Sequence, residues 1–312
     1  MARHTLAIAA LLTLAPLCRR APAQAPSPAR ATLWFVGDVH ADQRLHALFA
    51  HPTALSVSLS RGYGFANLEG PVIPDAGPST EAHLRNDARV LAVLHEAGVR
   101  AVSVANNHAL DDGIPGQIRT AQLTRAAGIA PLGVQGSRVP IVTEVSPGVH
   151  VAWLAVDLSR PPAMDALRAA FAQARALAPL RVVSLHVMAP PLYTPAPAVA
   201  REAVRHAVAE EVSLVVVHGT HTVAPVTREG TTVIAWGLGN MVFACDCSRE
   251  TEGLLLRATV TRDAVTHVAL APLEAGLDGR GAVVGGPEGA SLALMRALGV
   301  PLRTEGELGL LF

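Results

Sequence analysis

Residues 101–113 read AVSVANNHALDDG, an apolar, strand-like run that stops at two asparagines and a histidine. Small and β-branched apolar residues followed by Asn, His, Asp and Gly mark the end of a strand and the start of a loop. A simple turn does not need an amide pair and an imidazole, and the arrangement recurs outward along the chain. TLWFV (32–36) runs through Gly37 into Asp38-Val39-His40, and FANLE (65–69) ends in Asn67 and Glu69. VVSLH (182–186) ends in His186, and LVVVHGTH (214–221) ends in His218 and His221. Between these runs lie helical patterns. Leu84, Ala88, Leu91 and Leu94 recur at helical spacing over residues 83–97, with Gly98 as a stop, and further helices are expected near 116–127, 164–177 and 198–211. Residues 253–273 read as a β-hairpin turning at Arg262-Asp263. Strands alternating with helices predict an α/β layered domain with a mixed sheet or paired sheets, and in such folds the carboxyl ends of the strands converge on the ligand.

Bulk composition fits this frame. Of 312 residues, 50% are hydrophobic and only 16% charged, which suits a packed core and excludes a disordered chain. Twenty-five basic residues balance twenty-five acidic ones with no Lys/Arg cluster, which argues against nucleic acid as a partner and against a polybasic membrane anchor. Thirteen histidines against two tyrosines leave metal binding open.

The first residues, MARHTLAIAALLTLAPLCRRAPA, carry Arg3 and His4, an apolar run from Leu6 to Leu17 and small residues at the offsets of a cleavage site. The run is too short to span a bilayer, so 1–23 is expected to be a secretory signal peptide, 24–31 a flexible lead-in, and the mature chain exported to the periplasm or the extracellular space without a transmembrane helix. Cys18 offers a second reading as a lipid-anchored terminus, but Pro16 and Leu17 are poor residues before a lipidated cysteine. Cys245 and Cys247 are so close that a bridge between them closes a very small ring, and they are assigned no function. Residues 32–275 are read as one domain, with 276–312 as its peripheral extension.

Each polar strand end has a plain alternative when taken singly. Asp38 can cap a helix, Asn67 and Glu69 can be turn residues, and His186 can be a hydrogen-bonded buried histidine. Their joint placement carries the functional reading. Carboxylate, amide oxygen and imidazole without thiolate suit divalent Mn, Fe or Zn rather than a structural zinc site. Two such ions about 3.5–4 Å apart need a bridging carboxylate, and they clamp a phosphoryl group for in-line attack. His108, beside Asn107, is placed to protonate a leaving oxygen.

The segments GDVH (37–40), NLEGP (67–71), VANNHALDDG (104–113), VVSLHV (182–187), VVHGTHTVAP (216–225) and WGLGNMVF (236–243), in this order, resemble the CapA-type proteins named for poly-γ-glutamate capsule biosynthesis. These belong to the calcineurin-like metallophosphoesterase superfamily. The resemblance implies a four-layer α/β/β/α sandwich with mixed sheets and a site for two divalent metal ions at the strand ends. It implies metal ligation by Asp38, His40, Glu69 (at the bridging position), Asn107, His186 and His221, with His108 as the catalytic histidine. Where the family has His-x-His, this chain has His218-Gly219-Thr220-His221, so Gly219 stands at the first histidine and His218 serves only if the backbone shifts. After His186 the chain reads VMAPPLY rather than the usual Trp-Gly and Glu-Tyr. Asn106 stands where the superfamily usually has glycine and is expected to make a left-handed turn, while Asp111 or Asp112 is expected to cap the next helix. The function implied is an exported metal-dependent hydrolase of phosphoesters or of cell-envelope or capsule polymer bonds. The other reading is a non-catalytic accessory factor that uses the fold as a binding module for capsule synthesis or export machinery.

Overall fold

A computed structural model describes residues 29–50, 61–160, 162–189, 197–245, 251–275, 283–284, 289–305 and 308–311. The expected signal peptide, Cys18, Cys247 and the segment after Ala189 lie outside them. The chain starts in one sheet with β1 (Ala31–His40), β2 (Tyr63–Leu68), β3 (Val99–Ser103) and β4 (Ala130–Leu132), which lie side by side and parallel. It then builds a second sheet from β5 (Ile141–Ser146), β6 (Val149–Asp157), β7 (Leu180–His186), β8 (Leu214–His218), β9 (Val223–Glu229) and β10 (Thr232–Leu238). In that sheet β6, β7, β8 and β10 run parallel, and the outer strands β5 and β9 are antiparallel to their neighbours. The chain finally returns to the first sheet with β11 (Asn240–Phe243), β12 (Glu252–Val260) and β13 (Val265–Glu274).

Alternation along the strands decides how the sheets stack. Leu33 and Phe35 of β1 point into a core shared with Val151 and Trp153 of β6, Val182 of β7 and Val216 of β8. The residues between them, Trp34 and Val36, point the other way, onto α1 (Arg89–Glu96) and its Val90 and Leu94. The second sheet repeats the pattern. Val183, Leu185, Val215 and Val217 face away from the first sheet, onto Phe171 of α3 (Met164–Leu177) and Ala203 and Val204 of α4 (Ala198–Ala209). A period of two that buries both faces of a strand requires cover on both sides. The result is helix, sheet, sheet, helix, the expected four-layer sandwich. Rings fill the middle: Phe65 stacks on Trp153 at 5.8 Å and Phe35 lies 6.3 Å from it.

The helix expected over 83–97 is shorter than its apolar spacing suggests. α1 begins at Arg89 because Asn86 and Asp87 pair with Val72 and Ile73 instead. Asn86 is buried, donates to the carbonyls of Glu69 and Gly70, and accepts from the Ala41 amide at 2.8 Å. Those long-range bonds outweigh local helix propensity. The helix α2 (Gly113–Ala126) starts three residues before the expected 116 and ends against left-handed Gly128. Asp112 occupies its N-cap position without a capping bond, because its carboxylate pairs with Arg85 at 2.8 Å. The tail hairpin turns where expected, between β12 and β13. Of the stretch read as a peripheral extension, α5 (Ala290–Ala297) places Leu292 and Met295 in the core between the sheets.

Candidate metal centre

Parallel pairing brings the polar strand ends together. In the first sheet Asp38 is in register with Asn67, and Glu69 follows two residues on, its amide donating to the Val39 carbonyl at 2.9 Å. In the second sheet His186 is in register with His218. The two pairs face each other across the sandwich. His218 Nδ1 lies 3.3 Å from Asp38 Oδ1, and His186 Nε2 lies 3.7 Å from Glu69 Oε1. His221 completes the group from the loop after β8: Nδ1 is 3.2 Å from Asp38 Oδ2, and Nε2 is 3.9 Å from Glu69 Oε1. Ligand atoms of Asp38, Glu69 and His221 all fall within 4.8 Å of one another, as a cation would require. His40, from the same strand as Asp38, is buried against Phe243, with Nε2 3.9 Å from Asp42.

Burial makes these contacts consequential. Asp38, Glu69, His40, His186 and His218 are at most 2% exposed. Burial works to raise the Asp38 carboxyl, but His218 and His221 hold it well below the usual carboxylate range. Glu69 is held down in the same way, against its own burial, by His221 and His186. Burial works to lower His221, yet Glu69 and Asp38, with help from Asn240, carry it up to about 10. Burial does prevail at His40, which falls to about 4 despite Asp42 and Glu69.

Both ring nitrogens of His40, His186 and His218, and the Asn107 Oδ1, are buried without a hydrogen-bond partner among the described residues. An unmet buried polar atom costs about 1–3 kcal/mol, and folded proteins leave few of them. Two of these atoms, His186 Nε2 and His218 Nδ1, face Glu69 and Asp38, an arrangement that fits a centre completed by cations.

His108 takes a different environment. It is partly exposed, and its Nδ1 lies 2.8 Å from Asp111 Oδ2. Burial pulls it down, but Asp111 and then Glu69 raise it above the ordinary histidine value. The same Asp111 carboxylate accepts the Leu84 amide at 2.7 Å, so it orients His108 instead of capping α2.

Two residues that act on the centre carry roles that the sequence did not assign to them. Asn67 Nδ2 donates to Asp38 Oδ1 at 2.9 Å and approaches Glu69 Oε2 at 3.4 Å, fixing both carboxylates. Asn240 Oδ1 lies 3.1 Å from His221 Nδ1. The signal for Asn240 was present in the GLGN segment, as an amide that follows a pair of closely spaced glycines. Asn106 is structural for a reason other than the one expected. Its φ is not positive; its side chain donates to the Leu68 carbonyl at 2.9 Å and accepts from Gly70, tying the ends of β2 and β3. The left-handed non-glycine residue of the centre is His221, at φ 57.

Position 219 explains the altered motif. Gly219 has φ +90, its amide donates to Asp38 Oδ2 at 3.2 Å, and a Cβ there would lie 2.1 Å from the Val187 carbonyl oxygen and 2.7 Å from the His186 ring. A histidine cannot stand there, and His218 reaches Asp38 in its place. Gly219→Ala is expected to cost about 3 kcal/mol from left-handed strain and overpacking together. Urea unfolding measures this, and a change under about 1 kcal/mol would contradict the packing described.

Comparisons with known proteins bear on this geometry. A phosphatase from Mycoplasma pneumoniae has a similar structure, with a TM-score of 0.52 at 12% identity over 80% of this chain and 95% of the other, and shares the fold. A hypothetical protein from Thermus thermophilus aligns over 81% of this chain and 98% of its own, with a TM-score of 0.45 and 20% identity. No curated protein is detectably similar in sequence. The family described as bacterial capsule synthesis protein PGA_cap matches residues 32–245, and this chain is a member of that family.

Proposed function

We infer that the centre holds two divalent ions and that the protein hydrolyses a phosphoester, with a substrate in the cell envelope or capsule. The observation that carries this reading is the set of buried, unpartnered imidazole nitrogens around Asp38 and Glu69. Asp38, His40, Glu69, Asn107, His186, His218 and His221 would hold the ions, and Glu69, within reach of both His186 and His221, stands between the two halves of the ligand set. When bound, such ions supply Lewis acidity toward phosphoryl oxygens and lower the pKa of water. The chain's own residues supply the rest. Asn67 keeps both carboxylates oriented, Asn240 fixes the His221 ring, and His108, steadied by Asp111, gives a proton to the leaving oxygen. The family description supports a place in capsule synthesis. It also supports the second reading, a binding module that uses the same centre without turnover.

The test is metal analysis of the purified mature protein followed by a phosphomonoester and phosphodiester screen. About two equivalents of Mn, Fe or Zn with hydrolysis support the enzyme, and metal without hydrolysis supports the module. No metal after reconstitution would remove both. The N-terminus fits export, and sequencing of the secreted form is expected to begin near Gln24.

Metal loading should depend on pH through His221. Its pKa is raised to about 10, so in the metal-free protein the proton is present below that value and lost above it. A cation that takes this ring displaces the proton. Apparent metal affinity is therefore expected to rise with pH, about tenfold per unit between about 7 and 9, with about one proton released at neutral pH. Calorimetry in buffers of different ionisation enthalpy reads the proton directly; zero release excludes His221 as a ligand.

A further inference from the structure

Beside the centre lies a cavity of about 290 Å³, between the start of α2, the loop after β4 and the carboxyl end of β6. Asn107 belongs to both, since it is in the proposed ligand set and also lines the cavity. The wall also carries two exposed arginines, Arg138 and Arg160. Neither guanidinium is engaged by another described residue. The wall's carboxylate, Asp157, already accepts the Ser159 amide at 2.8 Å, and two arginines against one aspartate leave the wall positive. Leu110 and Ile114 line the same cavity and are 38% and 57% exposed, an apolar strip without cover. The loop is held in place rather than loose: Gln135 sits at φ 54, and its amide is gripped by Gln117 Oε1 at 3.0 Å. Left-handed backbone at a non-glycine residue persists where the surroundings fix it, and such residues gather at ligand sites.

We propose that this cavity is the specificity pocket of the centre, seating the substrate's leaving part by an apolar body on Leu110 and Ile114 and a second anionic group, carboxylate or phosphate, on Arg138 and Arg160. The inference rests on the metal-centre reading for what lies at the Asn107 end. Arg is suited to either anion because its planar fork donates two parallel hydrogen bonds. The substrate class follows: an organic phosphoester with a compact apolar segment and a further negative charge beyond the scissile bond.

Binding separates this proposal from the hydrolase reading. Phenylphosphonate, 4-carboxyphenylphosphonate and 1,4-phenylenediphosphonate are titrated into the manganese-loaded protein and into its Arg138→Ala/Arg160→Ala variant, whose changed residues are exposed and unpaired. The wild type is expected to bind one or both doubly anionic probes about tenfold tighter than phenylphosphonate, as one charge-assisted contact provides. The variant should lose that preference while its affinity for phenylphosphonate stays within about twofold. Which of the two probes gains more tells carboxylate from phosphate. Equal binding of all three by the wild type, a preference that survives in the variant, or no binding of any probe overturns the pocket. If the preference is present but no phosphoester is cleaved, the pocket stands and the hydrolase reading falls. Cleavage of phenyl phosphate without any preference gives the reverse.

Discussion

Asp38→Asn is expected to empty the centre of divalent metal and to lower phosphoester hydrolysis by about 10³-fold, the several kcal/mol that metal activation supplies. The substitution keeps shape and volume, so the sandwich should survive. The electrostatics change. Asp38 accepts from Asn67 Nδ2 and the Gly219 amide while lying 3.2–3.3 Å from His221 and His218. An amide there brings an NH₂ against these donors and removes half of the buried negative charge that Asp38 and Glu69 provide. Elemental analysis, with circular dichroism to confirm the fold, tests the expectation. Wild-type metal content in a folded variant would remove Asp38 from the ligand set.

His108→Ala should behave differently: hydrolysis falls about 10²–10⁴-fold while metal content is unchanged. His108 is more exposed than the clustered histidines of the strand ends, and its closest partner is Asp111 rather than Asp38 or Glu69. If it protonates the leaving oxygen, the loss is largest for alkyl esters and small for 4-nitrophenyl esters, whose leaving group needs no proton. Asp111→Asn should follow the same leaving-group pattern with a smaller loss, about 10–100-fold, as expected for an orienting carboxylate. An equal loss for both ester types would assign His108 to substrate binding instead.

Much of this was legible in the sequence because the strands are buried on both faces. Runs such as TLWFV and LVVVH are continuous and apolar, so the polar residue that ends each one stands out. Helices α3 and α4 were legible from their apolar stripes, for instance Ala200, Ala203, Val204 and Ala207. The outer strands β5 and β9 were not, because IVTEVS and VAPVTRE are partly exposed and mix polar with apolar residues. Residues 83–88 misled for a related reason. Leu84 has helical spacing but packs with Phe243, and Asn86 serves as a hub for distant backbone groups. Within the centre, ligand-type residues could be picked out by chemistry. The roles of Asn67 and Asn240 could not, since an asparagine that orients a carboxylate or an imidazole looks like any turn residue until its partner is known.

One feature of β1 sets when the centre can exist at all. Along one edge, residues Ala31–Phe35 pair with antiparallel β12, and at Asp38 that edge passes to parallel β11. The Asp38 amide donates to the Gly239 carbonyl at 3.0 Å, and Gly37 packs so closely on Gly239 that a Cβ would lie 1.7 Å from its oxygen. Asp38 is thus made early in synthesis but is posed by residues that follow the whole of the second sheet. Closing so long a loop is slow and entropically costly. A nascent or truncated chain that stops before Gly239 has the carboxylate but not its position. The geometry of the centre is therefore a report on completion: a chain cut before Gly239 lacks the carbonyl and the close glycine contact that set Asp38.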